Sequence, residues 1–370
     1  MESRYLLLGL HEIDGIGRKT ISKLLSSGNL HKDMLKYETQ DWIHTGMTKD
    51  QALKITERFS EVWIEERIHA LSKGRTTQFV TYLDEDYPVF MKETPDPPLV
   101  LYLKGNVSLL HHPSIAMVGT RVPSGYGKKV GEILASELSN AGYTIVSGLA
   151  RGIDSICHEA ALKAGGTTIA VLGGGFSHIY PTENHTLANQ IEKQGLLVSE
   201  YPLHMQPRPG LFPQRNRIIA GLTYGTLVVE ADIRSGSLIT ADAALEAGRD
   251  VFAVPGMITS PKSQGTLNLI KQGAKLVTCA EDINEEYAHL IKPRTEERIA
   301  AAGSESAMKM MPSLSSEEQM IYDLLEAGPL TLDELVGKLP FDFGHLHSVL
   351  LSLIIKKQIM QLPGAIYKLI

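Results

Sequence analysis

Four short segments of this 370-residue chain place arginine beside glycine, serine or asparagine, a combination that can bind phosphate. Guanidinium groups bind phosphate oxygens through paired hydrogen bonds, and small residues let backbone N–H groups approach the same anion. The segments are Gly119-Thr120-Arg121, Ser147-Gly148-Leu149-Ala150-Arg151, Phe212-Pro213-Gln214-Arg215-Asn216-Arg217 and Arg234-Ser235-Gly236-Ser237. Their composition predicts several anion-binding loops.

The loop that begins at Gly119 departs from the common nucleotide-binding patterns. A dinucleotide fingerprint starting there requires glycine at positions 121 and 124, where this chain has Arg121 and Ser124. The Walker pattern fails as well, because Lys129 stands where serine or threonine is required. We therefore expect neither NAD nor ATP, and we predict that Arg121 contacts a phosphate group.

The loop from Ser147 to Arg151 leads into a predicted helix that carries Asp154 and His158. These two residues are four positions apart, which places their side chains on one face of the helix. A catalytic pair and an ordinary surface pair both fit this spacing, and we favour the surface pair. Asp154 is also a suitable cap for the start of the helix.

Arg215, Asn216 and Arg217 form the most charged of the four segments, directly after Phe212 and Pro213. Proline favours the first turn of a helix. Residues two apart on an α-helix point about 200° apart, so the two arginines share a target only if they straddle the helix start. We expect a phosphate there, because two solvated arginines fit poorly beside the flanking apolar residues.

Ser235, Gly236 and Ser237 follow an apolar strand and open another predicted helix. Their backbone N–H and hydroxyl groups can form a second anion-binding nest. Simple capping of the helix is the alternative, and the neighbouring Arg234 favours the anion site.

Residues for metal binding or covalent catalysis lack a recognisable spacing. The 13 histidines are scattered, and no Gly-x-Ser-x-Gly segment follows a strand. Two cysteines are too few for a disulfide framework or a cysteine-based zinc site. The sequence therefore predicts a binding groove without a metal, a cofactor or a catalytic residue.

Short apolar runs alternate with predicted helices through the middle of the chain. Strands buried on both faces and separated by helices indicate an α/β protein with an extended Rossmann-like, doubly wound, mostly parallel sheet. The candidate loops follow the carboxyl ends of these strands, where such sheets bind ligands. The predicted strands span residues 78–83, 99–103, 115–118, 144–146, 169–172, 196–198, 227–229, 251–254 and 275–277.

The flanking segments predict two further domains beside the sheet domain of residues 76–288. Residues 1–75 read as a small helical domain of the helix-hairpin-helix or SAM-like type, in which the Gly15-Ile16-Gly17 turn either faces a phosphate or simply connects two helices. Residues 289–313 are polar and alanine-rich, which predicts a linker. Residues 314–370 predict three helices and a β-hairpin, the arrangement of a winged helix.

Composition and charge predict a cytoplasmic protein that does not enter a membrane. Hydrophobic residues make up 43% of the chain, and no stretch reaches the 18 apolar residues that a membrane span needs. The 36 basic and 42 acidic residues give a formal charge of −6, which argues against a histone-like polycation. If DNA is the ligand, the arginines must be concentrated in one groove.

The order and spacing of the four segments resemble the DNA-processing protein family DprA, also called Smf, across residues 76–280. The resemblance implies a protein that binds single-stranded DNA during natural transformation, protects it and loads the recombinase RecA onto it. It also implies a homodimer joined through the Rossmann domain, without a cofactor. The DNA pocket of the family corresponds here to Arg121, Arg215, Asn216 and Arg217.

One position departs from the family pattern. A lysine is frequent in the loop after the Tyr180-Pro181 pair, where this chain has Thr182 and Glu183. We expect a substitute cation from Lys128, Lys129 or Arg208. Aromatic faces for stacking bases are offered by Phe212, Tyr180 and Phe176, which favours single strands over duplex.

A nucleotide phosphoribohydrolase with a Rossmann fold is the alternative function. Residues 221–229 superficially match its Gly-Gly-x-Gly-Thr-x-x-Glu loop, but Val229 occupies the glutamate position and Glu230 follows one residue later. On a strand, an offset of one residue turns the side chain to the opposite face. A third possibility is a sequence-specific regulator, although we expect the winged helix to bind a partner or regulate rather than to read DNA.

Overall fold

The computed structural model describes residues 1–28, 30–72, 77–287, 315–326, 328–339, 341, 343–355, 358–362 and 366–369. The chain forms two compact units, Met1–Arg294 and Thr295–Ile370. The first unit contains both the N-terminal helices and the sheet, and the division predicted between residues 75 and 76 stays a prediction. The predicted linker, residues 289–313, lies outside the described residues.

Short helices build the amino-terminal part of the first unit. They are α1 (Ser3–Glu12), α2 (Arg18–Ser26), α3 (Thr39–His44), α4 (Lys49–Arg58) and α5 (Glu61–Ser72). Helix α1 is central, because its consecutive residues Leu6, Leu7 and Leu8 are all fully buried. The same hydrophobic cluster includes Val100 and Tyr102 from the sheet, so the helices and the sheet share a core.

The described strands of the first unit form one nine-stranded, mostly parallel sheet, which confirms the predicted fold class. The order is β1-β2-β6-β5-β4-β3-β7-β8-β9, with antiparallel pairing only at β1–β2 and β2–β6 within this described sheet. The strands are β1 (Thr77–Thr81), β2 (Val100–Gly105), β3 (Ser114–Val118), β4 (Thr144–Ser147), β5 (Thr168–Leu172), β6 (Leu196–Ser199), β7 (Gly225–Val228), β8 (Asp250–Ala253) and β9 (Lys275–Leu276).

Helices cover both faces of this sheet. They are α6 (Val89–Lys92), α7 (Gly125–Asn140), α8 (Ile153–Lys163), α9 (His185–Gln194), α10 (Leu211–Gly221), α11 (Ser237–Glu246), α12 (Gln264–Lys271) and α13 (Glu281–Tyr287). Every residue of β3 is buried: Ala116 and Val118 pack into one hydrophobic cluster, and Ile115 and Met117 into another. Burial on both faces explains why the strands read as unbroken apolar runs.

The strand order changes direction at β3, which has β4 on one side and β7 on the other. Loops that leave the sheet in opposite directions open a crevice at such a switch point, and ligands of doubly wound proteins bind there. The four segments found in the sequence lie in the loops and helix starts at this carboxyl edge.

The second unit has the elements of a winged helix, as predicted. These are α14 (Ser316–Glu326), β10 (Leu330–Thr331), α15 (Leu332–Lys338), α16 (Phe343–Ile355), β11 (Ile359–Leu362) and β12 (Ile366–Leu369). The strands form a sheet in the order β10-β12-β11. Its core includes Ile321, Leu335, Leu350 and Tyr367. The turn of the predicted β-hairpin, residues 363–365, lies outside the described residues.

Asp154 and His158 do not form the surface pair expected from their spacing. Both residues are buried, because α8 packs against the sheet along this face. The Thr168 hydroxyl donates to the Ile145 carbonyl (2.5 Å), and His158 Nδ1 lies 2.6 Å from the same hydroxyl oxygen. Nδ1 therefore carries the proton, and Nε2 is buried with no hydrogen-bond partner in the described part of the chain. Burial and the charge of Arg215 lower the pKa of His158 to about 3.

The buried imidazole predicts that the chain loses stability in mild acid. Below the ordinary histidine pKa of about 6.5, the unfolded state binds a proton that the folded state rejects, so stability falls as the pH falls towards 3. Between pH 7 and pH 5, the wild type should lose about 2 kcal/mol more unfolding free energy than His158→Gln. Urea titrations at both pH values measure this difference. The exposed His185→Gln is the control, and equal pH dependence in the wild type and His158→Gln would contradict the assignment.

Candidate nucleic-acid interface

The loop after β3 carries Gly119, Thr120 and Arg121 along the carboxyl edge. The Thr120 N–H donates to the Glu230 carbonyl (2.7 Å), which ties this loop to the end of β7. A Cβ at Gly119 would collide with the Ile153 side chain and the Glu230 carbonyl, so the close approach requires glycine. Arg121 is exposed and has no ion pair with a described carboxylate. Its guanidinium group is available to a ligand.

The loop after β4 is held by the buried carboxylate of Asp154. Asp154 Oδ2 accepts hydrogen bonds from the Gly148 N–H (3.1 Å) and the Ala150 N–H (3.4 Å). Burial raises the pKa of Asp154, and the charge of Arg215 and these hydrogen bonds oppose that rise. The intervening Leu149 has a φ of 56°, which few residues with a side chain adopt. The carboxylate therefore stabilises a strained turn.

Ser147 also belongs to the interior of this loop. It is buried, and its hydroxyl donates to the Met117 carbonyl of the neighbouring strand (2.6 Å). A hydroxyl that donates its proton inward is poorly placed to bind a phosphate. Ser147 joins β4 to β3.

Arg215 lies beneath the same loop rather than on its surface. The residue is 5% exposed, and Nη1 donates to the Gly148 carbonyl (2.5 Å) and to the Val171 carbonyl. Burial lowers the pKa of Arg215 to about 10, although the charge of Asp154 opposes this shift. A Cβ at Gly148 would overlap the guanidinium group, so this glycine is also required. The structure thus places Arg215 beneath the loop as a brace, whereas the sequence led us to expect a phosphate contact from it.

Asn216 connects Arg215 to the start of α11. Asn216 Oδ1 accepts from Arg215 Nε (3.2 Å), and Asn216 Nδ2 donates to the Gly236 carbonyl (3.4 Å). At that helix start, the buried Ser237 donates its N–H to Ser235 Oγ (3.4 Å). The hydroxyl of Ser235 therefore bonds within the protein at this helix start, and Gly236 is the exposed residue of the predicted nest.

Arg217 has a different set of partners from Arg215. Its Nη2 donates to both carboxylate oxygens of the buried Glu200 (2.6 and 2.7 Å), and its Nε lies 3.5 Å from Asp96 Oδ2. Asp96 also pairs with Arg18 of α2. The sequence contains no signal for this network, because its four members come from four distant segments. The network joins α10 to the N-terminal helices, and the two arginines do not share one target.

Arg151, in the loop after β4, is exposed and pairs with Glu183. The hydrogen bond between them raises the pKa of Arg151 and lowers that of Glu183. Both side chains are solvent-accessible. The pair is therefore exchangeable, since exposed ion pairs contribute only about 0–1 kcal/mol.

Two aromatic rings lie beside these loops. The ring centroids of Tyr180 and Phe212 are 5.6 Å apart, and Tyr180 is 49% exposed. Gly173 lies under Phe212, where a Cβ would collide with the ring. Phe176, the third predicted stacking residue, is instead half-buried against two hydrophobic clusters. Tyr180 therefore presents the main free aromatic face.

Glu230 occupies the amino end of α7. The residue is 3% exposed, and its carboxylate accepts from the Ser124 N–H (2.8 Å) and the Ser124 hydroxyl (2.5 Å). A helix amino terminus attracts anions, and here the chain supplies its own. The N-terminal end of α7 is therefore already bound to a carboxylate of the protein. The side chain of Val229 packs into the hydrophobic core.

The structure brings the four sequence segments together but separates their roles. The accessible edge consists of Arg121, Arg151, Phe212 and Gly236. The residues that support this edge from below are Ser147, Arg215, Ser237 and most of Arg217. Across the described ranges, no group of three His, Cys, Asp or Glu residues could hold a metal ion. Nor does any helix in those ranges have the length and apolar character needed to cross a membrane.

The position of Arg215 predicts a large loss of stability when its charge is removed. Arg215→Leu should lower the free energy of unfolding by about 3 kcal/mol, because Asp154 and two carbonyl groups lose a buried partner. Urea denaturation measures this change. Arg234→Leu, an exposed arginine after β7, is the matched control and should change stability by less than about 0.5 kcal/mol. Equal stability of the two variants would rule out the bracing role.

Comparisons with known proteins agree with this architecture. The family model for DNA recombination-mediator protein A matches residues 78–288, and the model for the DprA winged helix domain matches residues 306–365. The DNA processing protein DprA of Bacillus subtilis is 43% identical over 261 residues, which are 70% of this chain and 86% of that protein.

Two solved structures extend the similarity to three dimensions. The X-ray structure of DNA processing protein A from Streptococcus pneumoniae has 36% identity and a TM-score of 0.67, covering 79% of this chain and 99% of that one. The Helicobacter pylori protein, studied for its single-stranded DNA binding mode, has 33% identity and a TM-score of 0.53, covering 58% of this chain and 98% of that one. Since separate models match the sheet and the winged helix, and the Bacillus relative matches over most of its length, the chain belongs to the DprA (Smf) family of DNA recombination mediators.

Proposed function

We propose that this chain binds single-stranded DNA along the carboxyl edge of its parallel sheet. The observation that carries this proposal is the exposed Arg121, which has no described carboxylate partner, on a loop that contacts the Arg151 loop. The contact is direct, because the Ile153 N–H donates to the Thr120 carbonyl (3.2 Å). Two guanidinium groups at adjacent strand ends can bind successive phosphates of one strand.

The Arg151–Glu183 pair acts as a replaceable contact in this proposal. Because both side chains are exposed, a DNA phosphate can take the place of Glu183 at little cost. Glu183 and Thr182 stand where the family resemblance leads us to expect a lysine. The site therefore binds one phosphate less strongly there, and the exposed Lys128 and Lys129 of α7 are candidates for a substitute cation.

The aromatic pair accounts for the preference for single strands. A base that stacks on the exposed Tyr180 ring contributes about 1–3 kcal/mol. Bases in a duplex are already paired and stacked, so they cannot contact this ring without being unpaired. Phe212 packs against the Tyr180 ring. The loop N–H groups around Gly119 and Gly236 complete the proposed binding surface.

The position of Glu230 supports DNA binding over the alternative phosphoribohydrolase activity. A general acid must reach the bond that it cleaves, and Glu230 is buried with its carboxylate bound to Ser124. The phosphate subsite that such an enzyme needs is also filled by this carboxylate. We therefore infer that the chain holds its ligand without breaking a bond in it.

The family resemblance supports a wider role for the bound complex. We infer that the chain acts in the cytoplasm as a homodimer joined through its Rossmann domain, protects incoming single strands and loads the recombinase RecA. The winged helix has a different role in this proposal. Helix α16 contains neither lysine nor arginine between Phe343 and Ile355, which suits a partner or regulatory contact better than DNA.

Removal of the Arg121 guanidinium group tests the DNA site directly. Arg121→Ala should weaken binding to single-stranded oligonucleotides about tenfold, whatever their sequence, and reduce the slope of log K against log salt by about 0.7. Fluorescence anisotropy at several salt concentrations measures both quantities. The exposed Arg58→Ala on α4 is the control. If Arg121→Ala binds as tightly as Arg58→Ala, the proposed site is wrong.

RecA loading has its own test. The wild-type chain should accelerate assembly of RecA on a single strand that is already coated with single-strand-binding protein, and Arg121→Ala should accelerate it less in proportion to its weaker binding. The rate of ATP hydrolysis by RecA measures this assembly. A chain that binds DNA normally and leaves the assembly rate unchanged would contradict the loading role and leave the DNA site intact.

A further inference from the structure

A groove of about 1100 Å³ lies between the N-terminal helices and the sheet, inside the first compact unit. The Gly15-Ile16-Gly17 turn and the start of α2 form one wall. The segment from Glu200 to Arg208 and the first turns of α10 form the other. We call this space the N-terminal groove. It is larger than the roughly 300–1,000 Å³ of a typical small-molecule site, so it can hold more than one nucleotide.

The walls of the N-terminal groove are apolar in the middle and cationic at the rim. Ile16, Leu203, Met205 and Leu211 contribute apolar surface, and Tyr201 lies among them. Lys19, Arg67 and Arg208 stand around this surface, and none of them has an ion pair with a described carboxylate. An apolar floor with a cationic rim suits a ligand that has flat apolar groups joined by negative charges.

The acidic residues of the N-terminal groove are already occupied. Asp96 and Glu200 are paired with Arg18 and Arg217, and Glu12 accepts a hydrogen bond from the Tyr102 hydroxyl. Of the groove acids, only Asp14 is exposed and without such a partner among the described residues. Five lysine and arginine side chains line the groove against four carboxylates, so the groove has a formal charge of +1.

Hydrogen-bond donors without acceptors in the groove also favour an anionic ligand. Arg67 Nε and Arg217 Nη1 are buried atoms of groove residues, and neither has a hydrogen-bond partner among the residues that the structure describes. The first N–H groups of α2, which begins after the uncapped Gly17, also lack intrahelical acceptors. The oxygens of a phosphodiester backbone in the groove would satisfy the N–H groups at the start of α2.

The N-terminal groove is continuous in sequence and space with the DNA site at the carboxyl edge. Leu211 lines the groove, and the next residue, Phe212, packs against Tyr180 at the edge. The Tyr201 hydroxyl donates to the Leu211 carbonyl (3.3 Å), which fixes this junction. A strand that leaves the Tyr180 ring therefore meets the groove at the start of α10.

We propose that the N-terminal groove binds a second stretch of the same DNA strand, with phosphates at Lys19, Arg67 and Arg208 and bases against the apolar floor. This inference rests on the proposed function, because it extends the track that begins at Arg121. It assigns the N-terminal helices a part in ligand binding, and it makes the binding site longer than the carboxyl edge alone.

The test compares oligonucleotides of two lengths. Oligothymidylates of about 4 nucleotides should occupy the carboxyl edge only, whereas those of about 16 nucleotides should reach the groove as well. The double variant Lys19→Glu with Arg208→Glu should weaken binding of the long oligonucleotide about tenfold and lower its salt slope by about 1.4. Binding of the short oligonucleotide should stay within about twofold.

The matched control is Lys23→Glu with Arg58→Glu, which makes the same charge change at exposed positions outside the groove. All four substituted positions are exposed, and all but Arg208 lie on N-terminal helices, so we expect both variants to fold. Thermal unfolding verifies that they do. An unchanged affinity for the long oligonucleotide overturns the proposal. The proposal is also overturned if the double variant loses the same affinity for both lengths, or if the control loses as much affinity as the double variant.

A cross-linking experiment separates failure of this inference from failure of the proposed function. A long oligonucleotide with 5-iodouracil near one end should form photoproducts with Tyr201 or Met205 in the groove, and with Tyr180 or Phe212 when the label is near the other end. Cross-links at the edge alone overturn the groove and keep the DNA site. If the edge cross-links are absent and Arg121→Ala binds DNA as tightly as the wild type, the proposed function itself is overturned.

Discussion

The buried guanidinium group of Arg215 is the interaction on which the carboxyl edge depends. It donates to the carbonyls of Gly148 and Val171, and its charge lies near the buried carboxylate of Asp154. A buried charge is costly unless hydrogen bonds and an opposite charge compensate it. Here both are present, so the loop between β4 and α8 is held from below. The turn at Leu149 and the exposed Arg151 follow from that restraint.

The distribution of charge explains how an acidic chain can bind a polyanion. Its formal charge is −6, yet the buried acids near the binding surface are satisfied within the protein. Glu230 binds Ser124 at the start of α7, and Glu200 binds Arg217. These contacts keep the Glu230 and Glu200 carboxylates away from the proposed DNA-binding face. The local potential depends on the exposed arginines and helix ends rather than on the total charge.

Glu230 also explains why a Rossmann-like sheet need not bind a nucleotide cofactor. In a dinucleotide-binding protein, the pyrophosphate approaches the first helix through a glycine-rich turn. In this chain a carboxylate occupies that place, and Arg121 stands where the turn would need glycine. In the function proposed above, the ligand surface is displaced outward, towards the loops and the Tyr180 ring. The fold is therefore retained while its usual subsite is closed.

Much of the architecture was predictable from the sequence, because strands buried on both faces and amphipathic helices leave local patterns. The sheet, the winged helix and the clustering of four loops at one edge are of this kind. The direction in which each arginine points was not predictable. Arg215 turns inward because it finds acceptors at Gly148 and Val171, and Arg217 turns towards Glu200 and Asp96.

Asp154 and His158 show the same limit. Their spacing placed them on one face of a helix, but the sequence could not tell whether that face meets solvent or the sheet. The order of strands and helices, and the residue types available at their ends, are properties of the local sequence. Which of those residues reach solvent is a property of the folded chain, because it depends on partners that lie tens of residues away.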